Sequence, residues 1–302
     1  MVITGTIFFL FGIVLGSFLN VCIARIPEGL SIVSPGSRCP QCRQPIKGYD
    51  NVPLLSWVLL GGKCRNCKTP ISIQYPLVEL LTGVLFVACY LNFGLSPETF
   101  KWLSFTCLII VLTITDLLVR LLPDAVNFFG AGLGLAFAVR VAPRDEFVSD
   151  LIWRFTSLSP ASPVSGVLNA LAGALFGSFL LWGAATLYRL VRKREGMGMG
   201  DVKMMAMVGT FLGVRGAFFT ILIGSLLGSL LGLAIVLTMF FAGWKRAVAV
   251  RASRRGVGTE TELRWAMASA YQLPLGTFLG IAALLYVHFD PWISGLISMT
   301  LH

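Results

Sequence analysis

The feature that most constrains this chain is the recurrence of apolar runs about twenty residues long. Eight are read along its 302 residues, at roughly 4–23, 76–94, 100–118, 125–142, 166–188, 203–216, 218–243 and 270–289. A bilayer core takes about 20 helical residues to cross. Lipid offers no partner for an unpaired backbone group, so runs of this kind must be helical. Only 13% of the residues are charged and 56% are hydrophobic, against about 25% charged in soluble domains. The expected fold class is an all-α polytopic membrane protein with about eight transmembrane helices. The sixth run is the weakest. It carries Gly209, Gly213 and Arg215, so it either tilts or forms a helical hairpin with the seventh. No Lys or Arg precedes the first run, so no cleavable signal peptide is expected.

The net charge of +10 suggests nucleic acid as one partner. In a membrane chain it more often reflects basic cytoplasmic loops, and no nucleic acid is expected. With the amino terminus outside, the inner segments are 24–75, 119–124, 189–203 and 244–269, and they hold 19 of the 24 Lys and Arg residues. The positive-inside bias favours that threading. The loop 244–269, with Arg251, Arg254, Arg255 and Arg264, reads as a topological and lipid-facing segment, each basic residue contributing about 1 kcal/mol near an anionic surface. The segment 143–165 reads as a short interfacial helix outside.

Residues 24–75 are polar and proline-rich, and read as a small cytoplasmic domain between a first helix (1–23) and the remaining membrane part (76–302). They contain an internal repeat. Cys39-Pro40-Gln41-Cys42-Arg43-Gln44-Pro45-Ile46 is echoed 25 residues later by Cys64-Arg65-Asn66-Cys67-Lys68-Thr69-Pro70-Ile71. Two C-x-x-C knuckles supply four thiolates, enough to close a tetrahedron around structural zinc in a zinc-ribbon-like fold. The alternative is a pair of disulfides, which a reducing compartment disfavours. Cys22, Cys89 and Cys107 read as small core residues.

Elimination narrows the chemistry. The two histidines are His288 and His302, and no H-E-x-x-H is present, which excludes a zincin-type protease. The Gly-Ser pairs at 177, 224 and 228 read as helix-packing positions. The ladder Gly196-Met197-Gly198-Met199-Gly200-Asp201 follows no strand, so a nucleotide loop is a weak reading. Carboxylates remain. Glu79, Asp116, Asp124 and Asp201 lie in or at the cytoplasmic end of apolar runs, where an acid is a functional candidate by default. Each also has a plainer reading. Asp124 suits a helix N-cap, Glu79 a first helical turn, and Asp201 a cap of the sixth run. Asp116 is hardest to explain away, because a helix C-terminus disfavours an anion. The threading places Asp116 and Asp201 on one face. Two neighbouring carboxylates share a proton, the ionised one activating a water and the protonated one polarising a carbonyl. Lys203 is expected to favour the ionised form of Asp201.

Taken in order, Gly16-Ser17-Phe18-Leu19-Asn20-Val21, Arg25-Ile26-Pro27, the two knuckles, Tyr75-Pro76-Leu77-Val78-Glu79, Thr115-Asp116 with Leu122-Pro123-Asp124, and Gly198-Met199-Gly200-Asp201-Val202-Lys203 resemble the type 4 prepilin peptidases. The last motif is also similar to the G-x-G-D aspartyl intramembrane proteases. The resemblance implies a bacterial inner-membrane aspartyl endopeptidase with its active site at the cytoplasmic face. It removes the leaders of type IV prepilins and type II secretion pseudopilins. It implies Asp116 and Asp201 as the catalytic pair in a peptidase domain over 76–302, supported by Gly198, Gly200, Lys203 and Asp124. It also implies N-methylation of the new amino terminus with S-adenosylmethionine, for which Asn20, Arg25 and Glu79 are the candidate donor-site residues. Leu275 and Thr277 stand where the resemblance leads one to expect phenylalanine and proline, a departure expected not to touch the pair. The competing reading is a non-enzymatic zinc-containing membrane assembly factor.

Overall fold

A computed structural model describes residues 1–143, 145–159, 161–193, 196–241 and 274–300. The basic loop 244–269, Arg144, Tyr271-Gln272-Leu273 and His302 lie outside the described residues. The described residues form nine α-helices: α1 (Val2–Arg25), α2 (Leu55–Leu59), α3 (Gln74–Phe93), α4 (Pro97–Val119), α5 (Asp124–Ala138), α6 (Glu146–Thr156), α7 (Pro163–Arg192), α8 (Met199–Phe241) and α9 (Leu275–Thr300). Among the described residues five helical stretches are long and apolar enough to cross a membrane: α1, α3, α4, α7 and Met199–Ile235 of α8. Asp124–Ala138 and Leu275–Asp290 are shorter apolar helices.

The helix starts are written in sequence. Ser96 and Ser162 are N-caps whose hydroxyls accept from Thr99 N and Ser165 N, and each is followed by a proline at the first helical position. Those pairings satisfy donors that a helix start otherwise leaves orphaned. At its other end, α4 is closed by Arg120 in the left-handed conformation. Helix α4 is the centre of the molecule, packed against α1, α3, α5 and α9. Its Phe105, Ile109 and Leu112 are fully buried, and Phe105 meets Trp102 and Phe211 ring to ring.

Gly213 divides α8. Its φ of 74° and ψ of −172° fall where only glycine sits without strain. A Cβ placed on Gly177 of α7 would touch both the Met205 carbonyl, at 2.9 Å, and the Ala217 Cβ, at 3.4 Å. In a straight helix those residues are about 18 Å apart, so the chain folds back on itself at Gly213. Of the two expectations for this stretch, tilt or hairpin, the hairpin is found. A single buried carboxylate pins its turn. Asp145 Oδ1 accepts from Val148 N in the first turn of α6, and Oδ2 accepts from Arg215 N in the first turn after Gly213. Arg215 in turn reaches Asp290 of α9 at 3.2 Å. The helix expected within 143–165 is α6.

The segment between α1 and α3 is a small lobe. Its two knuckles share one geometry. Cys39 N donates to Gln44 O and Cys64 N to Thr69 O, while Arg43 N donates to Cys39 O and Lys68 N to Cys64 O. Bridges pair Arg38 with Pro45 and Lys63 with Pro70, and Arg43 and Lys68 take matching positive φ of 57° and 58°. The sequence repeat is therefore a structural repeat. Arg65 grips Asp50 at 2.6 Å, and that guanidinium holds the Asp50 carboxyl below the usual range.

Candidate active site

Asp116 lies in the last turn of α4 and Asp201 in the first turn of α8, and both are buried. Leu122 joins their surroundings. A Cβ on Gly200 would meet Leu122 Cβ at 3.0 Å, and one on Gly276 would meet Leu122 Cδ1 at 2.9 Å and Asp116 Oδ2 at 3.0 Å. Without side chains at 200 and 276, the first turns of α8 and α9 close on Leu122 and bring the two aspartates to one place. Asp201 feels the charge of Asp116 across it.

Each carboxylate has a helix start to lean on. The Asp201 carboxylate lies beside Gly198 at the start of its own helix, where a Cβ on that glycine would sit 3.8 Å from Oδ2 and where a helix N-terminus favours an anion. Asp201 is the third residue of α8, so it does not hold the capping position expected of it, although its charge lies in the favoured first turn. Asp116 has the support of a different helix from its own. Its Oδ2 accepts from Thr277 N at 2.6 Å and from Thr277 Oγ1 at 3.0 Å, in the first turn of α9. An anion that sits badly at the C-terminus of α4 sits well at the N-terminus of α9. This corrects one expectation: the late-motif departure at Thr277 does touch the pair. The contact Thr277 makes with Asp116 is what sequence reasoning missed, and its signal was a place three residues after Pro274, in a helix first turn.

Two further expectations are corrected. Lys203 does not serve Asp201; its Nζ is 2.7 Å from Asp124 Oδ2 and lies over the Phe128 ring. The pair is half exposed, so it is a surface contact between α5 and α8. Asp124 is not the N-cap of α5 either. Pro123 holds that position and Asp124 is the first helical residue.

The four knuckle cysteines converge. Their sulfurs all lie within 4.8 Å of one another, and Cys39 Sγ is 3.7 Å from Cys67 Sγ. Sulfurs at 2.3 Å from a tetrahedral zinc are about 3.8 Å apart, so the donor set and its spacing fit that ion. All seven cysteines are free, so neither disulfide forms. The Thr69 hydroxyl and backbone N–H hold the Cys67 thiol down at about 6, favouring the thiolate a metal needs.

Where the lobe meets α1 and α3 there is a cavity of about 710 Å³, lined in part by Ser17, Asn20, Arg25, Trp57 and Glu79. The three donor-site candidates named from sequence thus share one cavity. Glu79 is in the second turn of α3, not the first. Its carboxylate accepts from Leu54 N at 2.8 Å, fixing the lobe to the bundle. Asn20 donates to Tyr75 O at 3.0 Å, and its buried Oδ1 has no hydrogen-bond partner among the described residues. Arg25 donates to Ser31 O and Gly36 O. The cavity lies at the same end of the bundle as the aspartates. Asn92, at the other end of α3, meets His288, far along α9 from the turn that holds Asp116.

The chain matches two known families. The family described as Bacterial Peptidase A24 N-terminal domain covers residues 10–93, and the Type IV leader peptidase family covers 103–233. Among curated proteins it is similar to the Prepilin leader peptidase/N-methyltransferase of Myxococcus xanthus, 38% identical over 237 residues, which are 78% of this chain and 64% of that protein. The protein of the same name from Aeromonas hydrophila is 35% identical over 76% of this chain and 80% of its own length. That from Bacillus subtilis is 36% identical over 74% and 82%. No solved structure matches the chain.

Proposed function

Because the chain belongs to the type IV leader peptidase family, we propose that Asp116 and Asp201 form the catalytic pair of a membrane aspartyl endopeptidase. Its substrates are type IV prepilins and type II secretion pseudopilins. One observation carries the reading: two buried aspartates from different helices share one site, beside glycines at 198, 200 and 276. A backbone without Cβ atoms lets an extended substrate strand approach closely. In the reaction, the ionised carboxylate takes a proton from water and the oxygen attacks the scissile carbonyl. The other carboxyl gives its proton to the carbonyl oxygen. When the C–N bond breaks, the leaving amine is protonated from the first carboxyl and a hydroxyl of the gem-diol returns its proton to the second, which restores the pair.

The second activity in this reading is N-methylation of the new amino terminus. S-adenosylmethionine supplies an electrophilic methyl group when bound. The cavity at the lobe suits it: its volume is in the range of small-molecule sites, and its walls offer an unpaired amide oxygen on Asn20, the Glu79 carboxylate and the Trp57 ring. Glu79 would offer a negative charge to the cationic donor, Asn20 Oδ1 would accept from one of its polar hydrogens, and Arg25 would offer a positive charge to its carboxylate. Zinc at Cys39, Cys42, Cys64 and Cys67 fixes the lobe that forms one wall.

The same reading gives eight crossings, the hairpin at Gly213 supplying the sixth and seventh. It divides the chain into a first helix (1–23), a zinc-binding domain (24–75) and a peptidase domain (76–302). It sets the protein in the bacterial inner membrane with both sites on the cytoplasmic face, where the basic segments lie. The test is incubation of the purified protein with a prepilin, with and without S-adenosylmethionine, read by mass spectrometry. The expected products are a mature amino terminus in both reactions and an added methyl group only with the donor. An uncut prepilin in both reactions rejects the peptidase and leaves the assembly-factor reading.

A further inference from the structure

The two aspartates are chemically alike, yet their surroundings are not. Asp116 Oδ2 receives two donors from Thr277, the backbone N–H at 2.6 Å and the hydroxyl at 3.0 Å. Among the described residues none donates to Asp201 at such a distance; Gly198, at its own helix start, lies beside it. The hydroxyl has a rival acceptor in the Thr113 carbonyl, but at the longer distance of 3.3 Å. Thr277 is itself buried, so water does not compete for these contacts. Donors aimed at a carboxylate favour its charged form, and the first turn of α9 adds its dipole in the same sense. The surrounding charges do not undo this. Asp201 comes from α8 and Arg120 from the next turn of α4 itself. Asp124 of α5 is paired with Lys203 of α8, while Glu79 of α3 and Arg25 of α1 bond to the lobe.

We infer that Thr277 is a positioning residue that divides the labour of the pair, holding Asp116 as the base that takes the proton from water and leaving Asp201 as the acid that protonates the carbonyl oxygen. The inference rests on the catalytic-pair reading and adds to it a direction and a third residue. A proline at 277, the residue expected there from the family resemblance, supplies neither donor. The acid–base balance of this pair is thus set by a contact peculiar to a threonine-bearing α9.

The experiment is the pH profile of prepilin cleavage, as kcat/KM, for the full-length protein and three variants. Thr277→Pro removes both donors and is tolerated sterically in a helix first turn. Its acid limb is expected to move to higher pH by about one unit. Thr277→Val keeps the backbone donor and is expected to move the limb in the same direction by less. Thr277→Ser keeps both and is expected to leave it in place. A lower rate with an unmoved acid limb in both Pro and Val variants overturns the inference, because a merely structural role scales the profile without shifting it. Should Thr277→Pro not fold, Thr277→Val alone decides. Failure of the pair itself is seen separately: cleavage that survives Asp116→Asn rejects the catalytic reading, whereas inactive aspartate variants with an unmoved limb reject only the role of Thr277.

Discussion

Asp116 and Thr277 show what a sequence can and cannot disclose about a residue. The carboxylate was conspicuous because it ends an apolar helix where the dipole opposes it. The donors that make it tenable come from 161 positions further on, and no local pattern announces them. Lys203 shows the opposite failure. Two residues from Asp201, it reads in sequence as a natural counter-ion, but positions i and i+2 of a helix point to different sides. Its side chain instead reaches Asp124 across the α5–α8 contact. An exposed pair of this kind contributes about 0–1 kcal/mol. Lys203→Met is therefore expected to leave the cleavage rate within a few-fold of wild type. A loss comparable to that of an aspartate variant would return Lys203 to the catalytic site.

Among the elements, the apolar runs were readable because each crossing needs a long unbroken stretch. Their ends were less so: the fourth run was drawn to 142, whereas α5 stops at Ala138. The fold-back at Gly213 was legible only as a weakness in the sixth run, since one glycine in an apolar helix has many uses. Its necessity is conformational. Gly213 has φ 74° and ψ −172°, and a Cβ there would lie 3.1 Å from Pro143 Cβ. Gly213→Ala is expected to destabilise the protein by about 1–3 kcal/mol, read as a lower midpoint of thermal unfolding in detergent. Asp145→Ala removes the acceptor of two helix starts and is expected to cost about 1–2 kcal/mol in the same assay. An unchanged midpoint in both would mean that this turn does not hold the hairpin.

At the scale of the whole molecule, two sites sit at one end of one bundle, built from different helices. The aspartates come from α4 and α8, while the cavity is framed by α1, α3 and the cysteine lobe. The knuckle repeat disclosed the four-cysteine cluster, because two C-x-x-C pairs at matched spacing leave few other arrangements. The cavity was disclosed only as scattered polar residues, since walls made by a lobe docking on helices have no sequence period. This division predicts separable losses. Cys39→Ser with Cys67→Ser, or metal removal by a chelator, is expected to abolish binding of radiolabelled S-adenosylmethionine while prepilin cleavage persists. Undiminished donor binding after complete metal loss would detach the lobe from that cavity. Acid acts in the same direction. Metal-binding thiols must be deprotonated, so protons compete with the metal as the pH falls, and zinc retained per chain is expected to fall with it. The central claim concerns the aspartates, and its most direct measurement is the rate of leader removal from a purified prepilin by Asp116→Asn and Asp201→Asn. Both variants should extract as folded protein and cleave at least about 100-fold more slowly than wild type. Wild-type cleavage by either one would contradict the account.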